Sequence, residues 1–459
     1  MKATERHPYQ WAIDGKLPVS FWESTPTLGI IYAAARRRRV GPDVALHGVL
    51  SRVSAFIPPS LNVETGVEPA SLNYFAVGVA PTGLGKSRAW KLSVELAPYQ
   101  PWQIPDFDGE VVPGTGEGIA EAFMGTELVA TGKLKGRKGH EEPEEVPVRK
   151  QTKHNALFYA DEGDTISKLL SRTGATLTNV FKTGWVGGML GAQNATEERT
   201  RRVAAGTYSM GLMISWQPTL MESLFSDAAG GTPQRFIFAP AIDPQGSSRV
   251  VAESSYVEPI QGIARHALDL ADSGQNLWLP SSAIQEIANW DADRQEGLVM
   301  VPELDSHMML HRAKVAALLA LIHCEDKVSE QMWDMSGQVW DASCRMRASI
   351  ISMIEKASRE SRERAGSERA EVLGAQNDAM GTAICVKAAH KVASLVNLTP
   401  SPKRWKGAGG VWDSISYMSY RKGNDAGEVL GYGLKNGLFD METSDEDGKA
   451  VIYLKQVNR

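Results

Sequence analysis

Residues 80–87 read Ala-Pro-Thr-Gly-Leu-Gly-Lys-Ser and follow the apolar run Leu72 to Val79, which is expected to be a buried strand. A glycine-rich turn leaving a strand end suits a polyphosphate. Gly83 and Gly85 let successive backbone N–H groups converge on one anion, and a helix starting behind them adds its positive end. Pro81, Thr82, Gly83, Leu84, Gly85, Lys86, Ser87 and Arg88 would then surround the phosphates of ATP, with Lys86 on the outer ones and the Ser87 hydroxyl on Mg²⁺. The usual pattern G-x-x-x-x-G-K-[ST] opens with glycine, and Ala80 stands there instead. Taken alone, the loop could also be a plain turn ahead of a lysine.

A second segment, Ala-Leu-Phe-Tyr-Ala-Asp-Glu at 156–162, is an apolar strand ending in two carboxylates and followed by Gly163. Asp161 is placed to hold the Mg²⁺ water shell, and Glu162 to take a proton from the attacking water. The bland alternative makes both acids partners of the positive end of a helix over Thr165 to Leu170. Two more candidates come from later segments. A strand over Ser209 to Trp216 ends in Gln217-Pro218, where Gln217 would sit beside the γ-phosphate as a sensor. Gly230 to Phe236 delivers Arg235 just ahead of an apolar segment, Phe236 to Pro240. An arginine there could stabilise the transferring phosphoryl charge, in its own subunit or a neighbour's, or could simply pair with a carboxylate inside the fold.

The elements that must position these residues alternate between strands and helices from Leu72 to Pro240, which implies an α/β fold with a mostly parallel sheet and a site at the carboxyl ends of its strands. Four regions are expected: N-terminal helices over 1–70, the nucleotide-binding core over 71–245, a helical lid and linker over 246–378, and a tail over 379–459. In the first, Leu28 to Arg38 and Asp43 to Ala55 read as helices separated by Gly41-Pro42. The tetrad Arg36 to Arg39 suits a helix end, with nucleic-acid contact as the alternative. Gly114 to Ile119 lacks a lysine and reads as a turn into a helix, and Lys133 to Lys153 reads as a charged surface insertion that is mobile without ligand, with a DNA-facing hairpin as the alternative. His307 and His311, four apart, would share a helix face, where a core role competes with metal ligation.

The tail carries three helices, at about 380–396, 411–420 and 426–436, followed by a hairpin, a pattern that makes a winged helix. From Ala379 to Arg459 there are eleven Lys and Arg against eight Asp and Glu, in a chain whose net charge is −5. Lys403, Arg404, Lys406, Arg421, Lys422 and Lys435 could contact phosphates, while Asp445, Glu446 and Asp447 at the hairpin tip would repel them. Packing against protein is therefore the competing role for the tail. Three widely spaced cysteines without C-x-x-C point to a reducing compartment. The polar N-terminus and the lack of a long apolar run lead us to expect a cytoplasmic protein without membrane partners.

Several segments together resemble P-loop ATPases of actinobacterial phages, prophages and integrative elements, related to replicative helicases and primase-helicases. They are Phe21-Trp22 with Leu28 to Arg39, Val49 to Pro59, Ser71 to Phe75, the loop at 80–87, Gly114 to Ile119, Asp161-Glu162, Gly174 to Trp185, Gln217-Pro218 and Gly230 to Phe236. The resemblance implies a P-loop NTPase core of the RecA/AAA+ kind, working as a homo-oligomer such as a hexameric ring. It also implies ATP and Mg²⁺ as cofactors, with Lys86, Ser87, Asp161 and Glu162 in the nucleotide and hydrolysis motifs, Gln217 as sensor and Arg235 as finger. Lys182 and Trp185 fall in a segment typical of the family, where a buried Trp is the plain reading. The activity so implied is an ATP-dependent DNA helicase or translocase for mobile DNA. The alternative is an origin-binding or helicase-loading factor that ATP switches, with slow turnover.

Overall fold

The computed structural model describes residues 7–99, 107, 109–137, 140–171, 176–192, 201–246 and 256–457. Met1 to Arg6 of the N-terminus, Gly174 of the resembling segment and Lys138 of the charged insertion lie outside the described residues. Contacts divide the chain into two units, Met1–Ala357 and Ser358–Arg459.

In the first unit, α1 (Pro26–Arg38) starts where the Thr25 hydroxyl accepts the Leu28 N–H at 3.3 Å and Pro26 takes the first helical position. It is followed by α2 (Pro42–Phe56), β1 (Tyr74–Val79), α3 (Lys86–Leu96), β2 (Glu110–Val111) and α4 (Gly116–Glu121). Next come the ribbon β3 (Met124–Arg137) and β4 (His140–Gln151), then β5 (Asn155–Ala160), α5 (Gly163–Leu170), α6 (Leu177–Trp185), β6 (Ser209–Trp216) and β7 (Ile237–Pro240). Farther along are α7 (Met308–Ile322) and the long α8 (Glu330–Val396).

Five strands form one sheet in the order β7-β1-β6-β5-β2, every neighbouring pair parallel. Each residue of β1, β5, β6 and β7 is buried, so both faces need cover. Tyr74, Ala76, Leu157 and Met213 pack with residues of α2, α3 and α7 in one hydrophobic cluster. Phe75, Val77, Phe158 and Leu212 pack with residues of α4, α5 and α6 in the other. All fifteen residues of α2 are buried. A Cβ on Gly211 of β6 would fall 1.9 Å from the Ser51 carbonyl oxygen, so glycine is what lets α2 lie directly on the sheet.

The regions expected at 1–70 and 71–245 and the first part of 246–378 thus share one core, because the sheet borrows α2 and α7 as its cover. The charged stretch Lys133 to Lys153 lies largely within a long antiparallel ribbon, so the insertion takes the form of a hairpin. Opposite charges meet across it, as where Lys150 of β4 pairs with Glu127 of β3 at 2.5 Å. The Thr152 and Lys153 N–H groups close the base of the ribbon on the Phe123 carbonyl, each at 3.1 Å.

The second unit contains the end of α8, β8 (Lys403–Arg404), α9 (Val411–Ser414), α10 (Ala426–Lys435), β9 (Asp440–Glu446) and β10 (Lys449–Lys455). The three strands are antiparallel in the order β8-β10-β9. Val392, Trp405, Trp412, Val429, Phe439 and Leu454 form its own core. Among the described residues, no helix is long and apolar enough to cross a membrane.

Candidate nucleotide-binding site

The sequence motifs meet at the carboxyl end of the sheet. The loop leaves β1 at Ala80, whose N–H is bonded to the Trp216 carbonyl at 3.1 Å, and curls through left-handed glycines at Gly83 (φ 77°) and Gly85 (φ 87°). That curl hands the chain to α3, which begins at Lys86. The Lys86 ammonium lies inside the curl, donating to the carbonyls of Ala80 at 2.8 Å and Pro81 at 2.9 Å. Burial pulls it below the usual lysine range, while Asp161 and Glu162 act in the opposite sense.

Asp161 and Glu162 follow β5, which is separated from β1 by β6. The Ser87 hydroxyl donates to Asp161 Oδ1 at 2.6 Å, bridging loop and strand end. Glu162 is the residue before α5, yet its side chain makes no capping bond. The carboxylates are therefore not spent on the helix end: Asp161 faces Ser87, and Glu162 is exposed. Gly163 packs against the Trp216 ring, where a Cβ would come within 2.2 Å of Cγ.

Gln217 is half-buried one residue beyond β6, level with the start of the loop because Trp216 pairs with Val79. It makes no side-chain hydrogen bond among the described residues, so its amide is available to a ligand. Arg235 does not join this group. It precedes β7, and Ile237 pairs with Ala76, so Arg235 lies six residues of strand below Ala80, about 20 Å at the usual rise. There the guanidinium donates to the Gly231 carbonyl and sits 6.0 Å from the Trp185 ring. A role in its own chain's site is excluded by that distance in this conformation. Position alone would have revealed this, since a residue ahead of a parallel strand falls at the end opposite a loop that follows one.

Trp185 is fully buried, as expected, and Lys182 pairs with Asp227 at 3.4 Å. His311 lies in the core, its Nε2 2.7 Å from the Gln234 carbonyl oxygen. Among the tail cations, Lys403 is spent on the Leu395 carbonyl, Arg404 on Glu446 and Arg421 on Asp413. Lys406, Lys422 and Lys435 are exposed.

A cavity of about 300 Å³ adjoins the loop, lined by Gly83 and Gly85 with Tyr9, Arg36, Arg39 and Ile242. Arg36 and Arg39 of the arginine tetrad therefore border the glycine loop itself, beyond the helix end or nucleic-acid contact expected of them. Gly41 carries the signal: its N–H bonds the Ala241 carbonyl at 3.0 Å, tying the end of α1 to the residue that follows β7. Compared with protein-family models and with curated proteins, the chain matches none.

Proposed function

We propose that this chain is a P-loop ATPase whose hydrolysis cycle drives a DNA helicase or translocase of phage or other mobile DNA. The observation that carries the ATPase reading is the convergence of Lys86, Ser87, Asp161 and Glu162, with Ser87 and Asp161 in contact at 2.6 Å. Their oxygens are hard donors of the kind Mg²⁺ takes. Ser87 and Asp161 would hold the cation, which would supply positive charge to offset that of the phosphates. Lys86 and the loop N–H groups would hold the phosphates, and Glu162 would receive the proton of the attacking water. Tyr9, Arg36, Arg39 and Ile242 would enclose the nucleoside end.

The separation of Arg235 from the loop of its own chain makes its catalytic role, in this reading, one exerted on a neighbour's nucleotide. A homo-oligomeric ring provides such a neighbour. In the second unit, the order helix, strand, two helices and hairpin, with strands arranged β8-β10-β9, supports a winged helix. The exposed positions of α10 include Gly427, Glu428, Gly431 and Lys435, and the hairpin tip is acidic. So few side chains suited to reading base edges favour non-specific DNA contact over recognition of an origin. A strand-displacement assay separates the two readings: ATP-dependent unwinding without sequence preference supports the helicase, and tight binding of one duplex without unwinding supports the origin factor.

A further inference from the structure

Asp161 has two hydroxyl donors, and only one belongs to the phosphate loop. Tyr159, two residues earlier on β5, donates to the same Oδ1 at 2.6 Å. Residues 159 and 161 share a side because side chains alternate along a strand. The Tyr159 oxygen also lies 3.2 Å from Ser215 Oγ on β6, the strand that ends at Gln217. Since the phenol proton goes to Asp161, the Ser215 hydroxyl donates to the phenol. The ring is held equally firmly. It stacks on Trp90 with centroids 4.3 Å and planes 6° apart. Trp90 stands one turn after Lys86 on α3 and donates its indole N–H to Glu110 of β2 at 2.5 Å.

We propose that Tyr159 is a positioning residue for Asp161: its sheet-anchored hydroxyl fixes Oδ1, leaving Oδ2 free for the water shell of a divalent cation. The inference rests on the ATPase reading of this site. Ser87 would not provide the same service alone, because its hydroxyl oxygen would itself go to the cation. Tyr159 is tied to β6 through Ser215 and to α3 through Trp90, and its oxygen is not one the cation would need. A carboxylate that is already oriented loses less freedom on binding the cation shell, so the hydroxyl acts on cation affinity.

Tyr159→Phe tests this because it keeps the ring and its stack on Trp90 and removes one oxygen. Cation binding is read by Mn²⁺ paramagnetic resonance in the presence of a non-hydrolysable ATP analogue, and nucleotide binding without metal by a fluorescent ATP analogue. The expected result is about a tenfold loss of Mn²⁺ affinity, the scale of one hydrogen bond to a charged group, with metal-free nucleotide affinity unchanged. Excess Mg²⁺ should then restore turnover. Ser215→Ala, which removes the partner of the phenol and leaves Tyr159 in place, should shift Mn²⁺ affinity in the same direction by less. Wild-type Mn²⁺ affinity in a folded Tyr159→Phe protein overturns the positioning role, as does an equal loss of metal-free nucleotide binding. A wild-type chain that binds neither Mn²⁺ nor nucleotide overturns the ATPase reading instead.

Discussion

Ser87 and Asp161 are 74 positions apart in sequence and 2.6 Å apart in the fold, and Glu162 stands beside them with its carboxylate uncommitted. Glu162→Gln keeps shape and hydrogen bonding but cannot accept a proton. It should preserve ATP affinity while turnover falls roughly 10²–10⁴-fold, the usual share of a general base; turnover at the wild-type rate would remove Glu162 from that role. Gly163→Ala should act through shape. The added methyl meets the buried Trp216 ring at 2.2 Å, so the variant should lose roughly 1–3 kcal/mol in denaturant unfolding and lower turnover by displacing the Asp161–Glu162 turn. Unchanged stability would show that the turn yields. At this scale the sequence was readable where a residue's chemistry is local, as at Lys86. Tyr159 and Trp90 carried signals too, at two residues before Asp161 and four after Lys86, but their stacking depends on which strand lies beside α3.

Among the elements, α2 has the most demanding position, since a wholly buried helix must neutralise whatever polar groups it carries. Burial pushes His47 down to about 3, and it pushes Asp43 up to about 7. His307, on the run into α7, is lowered to about 4 by burial and then by Arg235, Arg294 and Lys314. For the histidines the native value lies below the unfolded one, so the unfolded chain takes up protons first and stability falls as pH drops below about 6.5. Asp43 runs the other way, losing stability as pH rises from about 4 to 7. His47→Gln should therefore flatten the stability–pH profile between pH 5 and 6.5 by about 1 kcal/mol per pH unit, relative to wild type. Thermal or denaturant unfolding across that range checks it, and an unchanged slope would contradict a neutral buried His47. The break between α1 and α2 was legible from Gly41-Pro42, and strands from their apolar runs, while the start of α1 was placed at Leu28, two residues inside the observed Pro26. The strand order was not, because pairing joins residues with no local sequence relation.

For the whole molecule, the distance between Arg235 and its own loop turns oligomerisation into a catalytic question. If the arginine serves a neighbour, Lys86→Ala and Arg235→Ala chains, each inactive alone, should regain part of the activity when mixed, because some interfaces then pair an intact loop with an intact arginine. A mixture as inactive as its components would make Arg235 a structural residue held by Gly231 and Trp185. The second unit adds a separate core and exposes Lys406, Lys422 and Lys435, cations that meet phosphates rather than base edges, so any DNA stimulation should fall with salt and be indifferent to sequence. The most direct measurement is the steady-state rate of ATP hydrolysis, with and without single-stranded and duplex DNA. The account predicts a Mg²⁺-dependent rate that DNA increases and Lys86→Ala abolishes. A rate absent in the wild-type protein, or one untouched by Lys86→Ala, would contradict it.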